Sequence, residues 1–349
     1  MTDPTTNPAD PTAPTAVETP KENTLLLSRV AEAVYWSGRY LERTEATARL
    51  VKIHTELMLD LPRAAGLTWS PLLAVTGSKA SFDEHYDEQS EDNIISFLTV
   101  DANGQDSILA SLTSARNNFR VTRNVLPASA WEQLNQLYLW VAQSRSQAVD
   151  RRTRLAWMDR VIRDCQLLRG LLAGTMSHDA AYSFLEVGSL LERADMTSRV
   201  LDVQAGVLAS GVPTGSVLAA DAYGDVTWMA VLRSVSAQQM FRRAVRTGIS
   251  GPEALRFLLR DAQFPRSVEH CLIGISRALM ELPRYELAMA GCADVQQLLE
   301  TADVGALVSK GLHDYVDQLQ IGIGWLHDAL TVTYFVPSTA ADGVLLASA

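Results

Sequence analysis

Gly38-Arg39-Tyr40-Leu41-Glu42-Arg43-Thr44-Glu45-Ala46-Thr47-Ala48-Arg49-Leu50-Val51 recurs 150 residues later as Gly188-Ser189-Leu190-Leu191-Glu192-Arg193-Ala194-Asp195-Met196-Thr197-Ser198-Arg199-Val200-Leu201. Gly, Leu, Glu, Arg, Thr and Arg return at the same offsets, with an acid three places after each Glu. Packing alone would repeat the apolar positions and let the charged ones drift. A repeated polar pattern therefore asks for a chemical reason as well as a structural one.

Around the first copy, Leu26, Val30, Ala33, Ser37, Leu41, Thr44, Ala48, Val51, Thr55 and Met58 step by three or four. That is the seam of one long amphipathic helix, with small residues where a partner helix can come close. Asn23 and Thr24 are candidate caps and Pro62 ends the run. The second copy steps alike through Phe184, Val187, Leu191, Ala194, Ser198, Leu201, Ala205 and Leu208, from about Ser177 to Gly211-Val212-Pro213. Further helices are expected at 105–124, 129–147, 150–174, 225–247, 252–260, 265–281 and about 303–335, and strand signals are nearly absent.

The repetition continues past the long helix. Trp69 through Leu73 matches Trp228 through Leu232, Phe97-Leu98 with Asp101-Ala102 matches Phe257-Leu258 with Asp261-Ala262, and Ser107 matches Ser267. The expectation is an all-α, double-unit helical bundle from an internal duplication, with approximate two-fold symmetry. The units are 24–150 and 151–335, between a disordered tail at 1–23 and a frayed tail at 336–349.

Composition narrows the function. The 349 residues carry a net charge of −10, which disfavours nucleic acid as a partner. Lysine occurs only at Lys21, Lys52, Lys79 and Lys310, and every other basic residue is arginine. Genomic base composition explains that bias, or else recognition of carboxylate or phosphate by the planar guanidinium fork does. Cys165, Cys271 and Cys292 are scattered in apolar helical contexts without metal or disulfide spacing, as fits a reducing cytoplasm. No secretory signal and no uncharged apolar run of membrane-spanning length is expected. Thr76-Gly77-Ser78-Lys79 lacks the upstream glycine of a phosphate loop, and the histidines show no ligand spacing. His327-Asp328 and His313-Asp314 read as polar pairs facing solvent, and neither a metal nor a cofactor is expected.

On a helix, Glu42, Glu45 and Arg49 share one flank of the seam, and Glu192, Asp195 and Arg199 repeat that geometry, while Arg39, Arg43, Arg193 and Glu32 point further outward. Such acid-before-base pairs at i,i+4 stabilise an exposed helix by about 0.2–0.5 kcal/mol each, which suffices for a structural role. Alternatively they line an interhelical groove, with Glu42 and Glu192 as candidate catalytic bases. Arg49, Arg199, Glu45 and Asp195 would then bind substrate, together with the stripe Arg116, Arg120 and Arg123. Arg266, at a helix start beside Ser267, is a further anion-binding candidate.

The segment Leu27-Ser28-Arg29 through Glu45, the Glu192–Arg199 run and Phe257 through Val268 with Phe264-Pro265-Arg266-Ser267 closely resemble three signatures of the bacterial alpha-E family. One motif departs. Where the family commonly reads Ala-Arg-Glu-Asn-Ala-Arg, this chain has Ala115-Arg116-Asn117-Asn118-Phe119-Arg120, which disfavours a catalytic carboxylate there. The resemblance implies an all-helical fold without a known reaction. It also implies the company of circularly permuted ATP-grasp proteins, often with transglutaminase-like peptidases nearby. The chain is thus expected to be an accessory or substrate-binding partner of an ATP-grasp-type ligase, in amide-bond formation or peptide modification of a peptide or amino-acid substrate. Two alternatives stand beside it: an enzyme that itself transfers an activated acyl group, and a purely structural oligomerisation module.

Overall fold

The structure, a computed structural model, describes residues 26–60, 68–101, 104, 107–209, 227–246, 248–309 and 311–336. The tails expected at 1–23 and beyond Val336, the caps Asn23 and Thr24, Pro62 and the Gly211–Pro213 stop lie outside these residues.

All regular structure among the described residues is helical. Two long helices form the centre, α1 (Ser28–Asp60) and α9 (Ala180–Ala209). Between them come α2 (Ser70–Val75), α3 (Lys79–His85), α4 (Glu91–Thr99), α5 (Ile108–Val121), α6 (Ala128–Gln143), α7 (Arg145–Val149) and α8 (Arg154–Thr175). After α9 follow α10 (227–234), α11 (Gln238–Ala244), α12 (Gly251–Arg260), α13 (Val268–Met280), α14 (Glu286–Thr301), α15 (Val304–Ser309) and α16 (Leu312–Leu330). A π-turn over Thr331–Phe335 ends the described chain. No described helix is long and apolar enough to cross a membrane.

The long helices run side by side in the same direction, with 35–38 against 185–189 and 42–43 against 192–193. Their closest approach is set by two glycines. A Cβ on Gly38 would stand 2.2 Å from the Leu185 carbonyl oxygen, and one on Gly188 would stand 2.1 Å from that of Tyr35. Neither distance leaves room for a side chain, so glycine is what lets the two backbones touch. α5 and α8 pack on α1, α13 and α16 pack on α9, α6 joins α5 to α8, and α14 joins α13 to α16.

Local details recur with this arrangement. Ser107 accepts from the Ala110 amide at 3.0 Å and donates to the Asp101 carbonyl at 2.6 Å. Ser267 accepts from the His270 amide at 3.1 Å and donates to the Asp261 carbonyl. Both serines cap their helix while tying down the preceding turn. Phe82 meets Phe97 edge-on at 5.2 Å, and Phe241 meets Phe257 edge-on at 5.5 Å.

Several expected helices are interrupted. The run expected over 225–247 breaks at Ser236, whose φ of 55° cannot continue a right-handed helix. That expected over 303–335 breaks at Gly311, with φ of 86°. α14 was not foreseen, although Ala288, Cys292, Val295 and Leu299 carry its buried face at helical spacing.

Candidate functional site

One turn beyond the glycine contact, α1 presents Glu42, Arg43, Glu45 and Arg49, and α9 presents Glu192, Arg193, Asp195 and Arg199. Arg39 and Arg193 do not point outward as the helical wheel suggests; each is only 8% exposed. The wheel assumes one buried face, whereas α1 and α9 are covered by neighbours on several sides, so their flanks are interior too. Glu32, further from that crowding, is exposed.

Glu42 and Glu45 are fully buried. Glu42 takes Arg193 at 2.9 Å, Arg266 at 2.6 Å and Arg169 of α8. Glu45 takes Arg49 at 2.6 Å, Arg266 at 3.0 Å and Arg169 at 3.1 Å. On the other helix, Glu192 takes Arg39 at 2.6 Å and Arg43 at 2.5 Å, and Asp195 takes Arg199 at 3.0 Å. Each Glu-Arg pair is therefore split across the interface: the arginine following one glutamate binds the other glutamate.

Seven guanidinium groups meet four carboxylates here. Burial alone would push the Glu42 carboxyl up, but the charges of Arg193, Arg266 and Arg169 overcome it and hold the carboxyl well below its usual range. Glu192 is likewise lowered, burial being outweighed by Arg43 and Arg39. Asp195 behaves oppositely. Burial pushes it up, Arg199 offsets this only in part, and the negative charge of Glu192 adds to the rise. Behind Glu192, Arg39 donates to the Tyr35 hydroxyl at 3.4 Å, and that hydroxyl lies 2.8 Å from His327 Nδ1. Burial and the Arg39 charge lower the His327 pKa, which favours the neutral ring.

The array opens into a polar recess of about 200 Å³ lined by Arg43, Thr47, Glu192, Asp195 and Arg199, with Thr76 and Gly77 across from them. Gly77 has φ of 66°, and a Cβ there would stand 2.6 Å from Arg199 Nη1. The turn after α2 is thus shaped to lie against the Arg199 fork. What the opening offers an incoming group is two guanidinium arms, threonine hydroxyls and the Asp195 carboxyl, whose pKa burial raises.

A family model described as "a predicted alpha-helical domain with a conserved ER motif" matches residues 26–335. The chain belongs to the Alpha-E family. Glu42-Arg43 and Glu192-Arg193 are the two Glu-Arg dipeptides that this Alpha-E chain exchanges between its central helices. Uncharacterized protein Mb2597 of Mycobacterium bovis and Uncharacterized protein Rv2567 of Mycobacterium tuberculosis are each 23% identical over 282 residues, which is 73% of this chain. The aligned stretch is 30% of each mycobacterial protein, so the Alpha-E chain spans under a third of their length. No solved structure matches it.

Of the residues singled out in the Alpha-E sequence, Glu42, Glu45, Arg49, Glu192, Asp195, Arg199 and Arg266 come together. Arg116, Arg120 and Arg123 do not join them. Arg116 bonds Asn135 at 2.7 Å and lies over Tyr138, Arg123 lies over Trp131, and Arg120 is exposed. This stripe faces the aromatic residues of α6 because α5 turns its other side, Leu112 and Phe119, to the core. Arg39, Arg43, Arg193 and Arg169 were missed. For Arg169 a signal existed, since it lies four residues after Cys165 beside the buried α8 seam of Leu168 and Leu172. His327 is half-buried in an aromatic cluster with Tyr35 and Trp36, where the sequence suggests a solvent-facing residue. His313 does lie at the surface, paired with Asp202 at 2.6 Å and Asp317 at 3.6 Å.

Proposed function

We propose that this chain is the substrate-binding partner of an ATP-grasp-type ligase, and that it holds an anionic group of the substrate in the recess between Arg43 and Arg199. The observation that carries this reading is an array of seven guanidinium groups on four carboxylates that opens, at Arg43 and Arg199, into a polar recess, in a chain whose overall charge is −10. An array in which guanidinium groups outnumber carboxylates attracts a carboxylate or phosphate that completes the pairing. Membership of the Alpha-E family supports the choice of partner, because its members occur beside or fused to ATP-grasp proteins. The greater length of the mycobacterial relatives is in keeping with a helical unit that works alongside other parts. A peptide or amino-acid substrate joined through an amide bond suits both. In the same reading, 24–150 and 151–335 descend from one duplicated unit, and the exchanged Glu-Arg pairs are its shared core.

One observation favours a second reading in which the chain itself assists acyl transfer. A general base needs a carboxyl poised near the working pH. Glu42 and Glu192 are held low by arginines, whereas Asp195 is raised and lines the recess. Asp195, rather than either glutamate, is then the proton carrier.

The test is ATP turnover by a purified ATP-grasp-type ligase of the same organism, with and without the purified chain. Turnover is expected to rise on addition, and to rise less with an Arg199→Met variant. An unchanged rate, together with failure to co-purify, overturns the partnership.

A further inference from the structure

A second cleft, of about 150 Å³, lies on the other side of the ion-paired centre, between α8 and α9. Its floor is apolar, formed by Leu41, Leu172, Leu185 and Leu190, all buried. Arg169 and Arg193 line it as well, both paired with the Glu42 carboxylate. Glu186 stands at its rim, two helical turns before Arg193, so the two residues share a face of α9 with Ser189 between them.

Two polar features are left unused by the protein. Arg193 Nε is buried and has no hydrogen-bond partner, although its other nitrogens bond Glu42 and the Pro265 carbonyl. A buried N–H without a partner costs free energy that a ligand oxygen would recover. The Arg169 side chain, which lines the cleft, is 40% exposed and pairs with Glu42 and Glu45 through Nη2 alone. At the rim, burial raises the Glu186 carboxyl, with His178 and Arg193 offsetting this only in part. A cationic group beside it would reverse that rise.

We propose that this cleft binds a free α-amino acid with an apolar side chain. Its carboxylate meets Arg193 Nε and Arg169, its ammonium meets Glu186, and its side chain lies on the four leucines. A cleft whose lining holds guanidinium groups and a carboxylate near one another over hydrocarbon matches a zwitterion with an apolar tail. The volume fits a ligand of that size, being below the roughly 300–1,000 Å³ of pockets for drug-sized molecules. The inference concerns a different opening from the Arg43–Arg199 recess and does not depend on any ligase.

Isothermal titration calorimetry of the full chain with L-leucine tests it, beside 4-methylpentanoate, which lacks the amine, and isopentylamine, which lacks the carboxylate. Leucine is expected to bind, with each truncated analogue weaker by about tenfold or more, as the loss of one charge-assisted contact predicts. Glu186→Gln is expected to weaken leucine by about tenfold and leave 4-methylpentanoate unchanged, because only the ammonium contact is lost. Ala173→Trp, on the exposed part of the lining, fills the cleft without touching the core and is expected to abolish binding. Three results overturn the proposal: no heat with leucine, equal affinity for leucine and 4-methylpentanoate, or undiminished binding by Ala173→Trp. Binding without ligase stimulation would refute the partnership alone, and stimulation without leucine binding would refute this inference alone.

Discussion

Arg193 lies 2.9 Å from the Glu42 carboxylate, while Arg43, the residue after Glu42, lies 2.5 Å from that of Glu192. Each helix thus neutralises the charge that the other buries. A buried carboxylate is tolerated only when paired and hydrogen-bonded, so Glu192 depends on the α1 arginines for its pairing, and Glu42 takes one of its three arginines from α9. The repeated polar pattern is thereby a condition for the two helices to associate in this register.

Breaking that exchange is expected to be costly. Glu42→Ala leaves Arg193, Arg266 and Arg169 facing one another without their shared carboxylate. Destabilisation of about 3–5 kcal/mol is expected, the range for removing one partner of a buried ion pair. Urea unfolding monitored by far-ultraviolet circular dichroism measures it.

The glycine contact makes an independent prediction. Gly38→Ala places a methyl group where the Leu185 carbonyl already stands, so backbone must move, and a loss of about 3 kcal/mol or more is expected. Gly170→Ala is the control. Its Cβ would meet nothing within 4 Å in the middle of α8, and a gain of about 0.5–1 kcal/mol is expected from helix propensity alone. Comparative thermal unfolding of the two variants decides between them.

Stability should fall in acid with a definite sign. Glu42 and Glu192 have folded-state pKa values depressed below the ordinary 4.5, so their stabilisation is complete above that value. It drains away as pH falls from about 4.5 through the depressed range. Asp195, with its pKa raised above 3.8, acts in the opposite sense: its contribution is present at low pH and lost as pH rises through its folded value. Urea midpoints between pH 7 and pH 3 are expected to fall below about pH 4.5, and a flat profile would contradict the buried pairs.

Gly77→Ala tests the recess. The added methyl meets Arg199 Nη1 at 2.6 Å and the residue must keep φ of 66°. Anion binding, read by calorimetry with phosphate or citrate, is expected to weaken. Stability should drop by only about 1 kcal/mol, because the strain sits in a surface turn.

The thiols should be silent in the native chain. Cys165, Cys271 and Cys292 are buried and free, and burial pushes Cys271 up to about 12, Cys292 to about 11 and Cys165 well above its ordinary value. No labelling by an aromatic disulfide reagent is expected at pH 8 until the chain unfolds, when all three react.

Helical class, the two long rods and the participation of Glu42, Glu45, Arg49, Glu192, Asp195, Arg199 and Arg266 were legible along the chain. Apolar periodicity and a repeated polar pattern are local properties, and each needs only a few neighbouring residues to be read. Side-chain partners were not legible in the same way. Glu45 and Arg49, four residues apart, could be paired from spacing, but the partners of Glu42 come from positions 127 to 224 residues away. Arg39 and Arg193 turned inward because helices packed on several sides leave no solvent flank. Arg116 and Arg123 turned to the α6 aromatics Tyr138 and Trp131. The chain's own order of residues settled which charges it would carry and on which helices. Only the folding of α8, α9 and the turn before α13 against α1 decided which guanidinium would neutralise which acid, because Coulomb attraction depends on distance in space and not along the backbone.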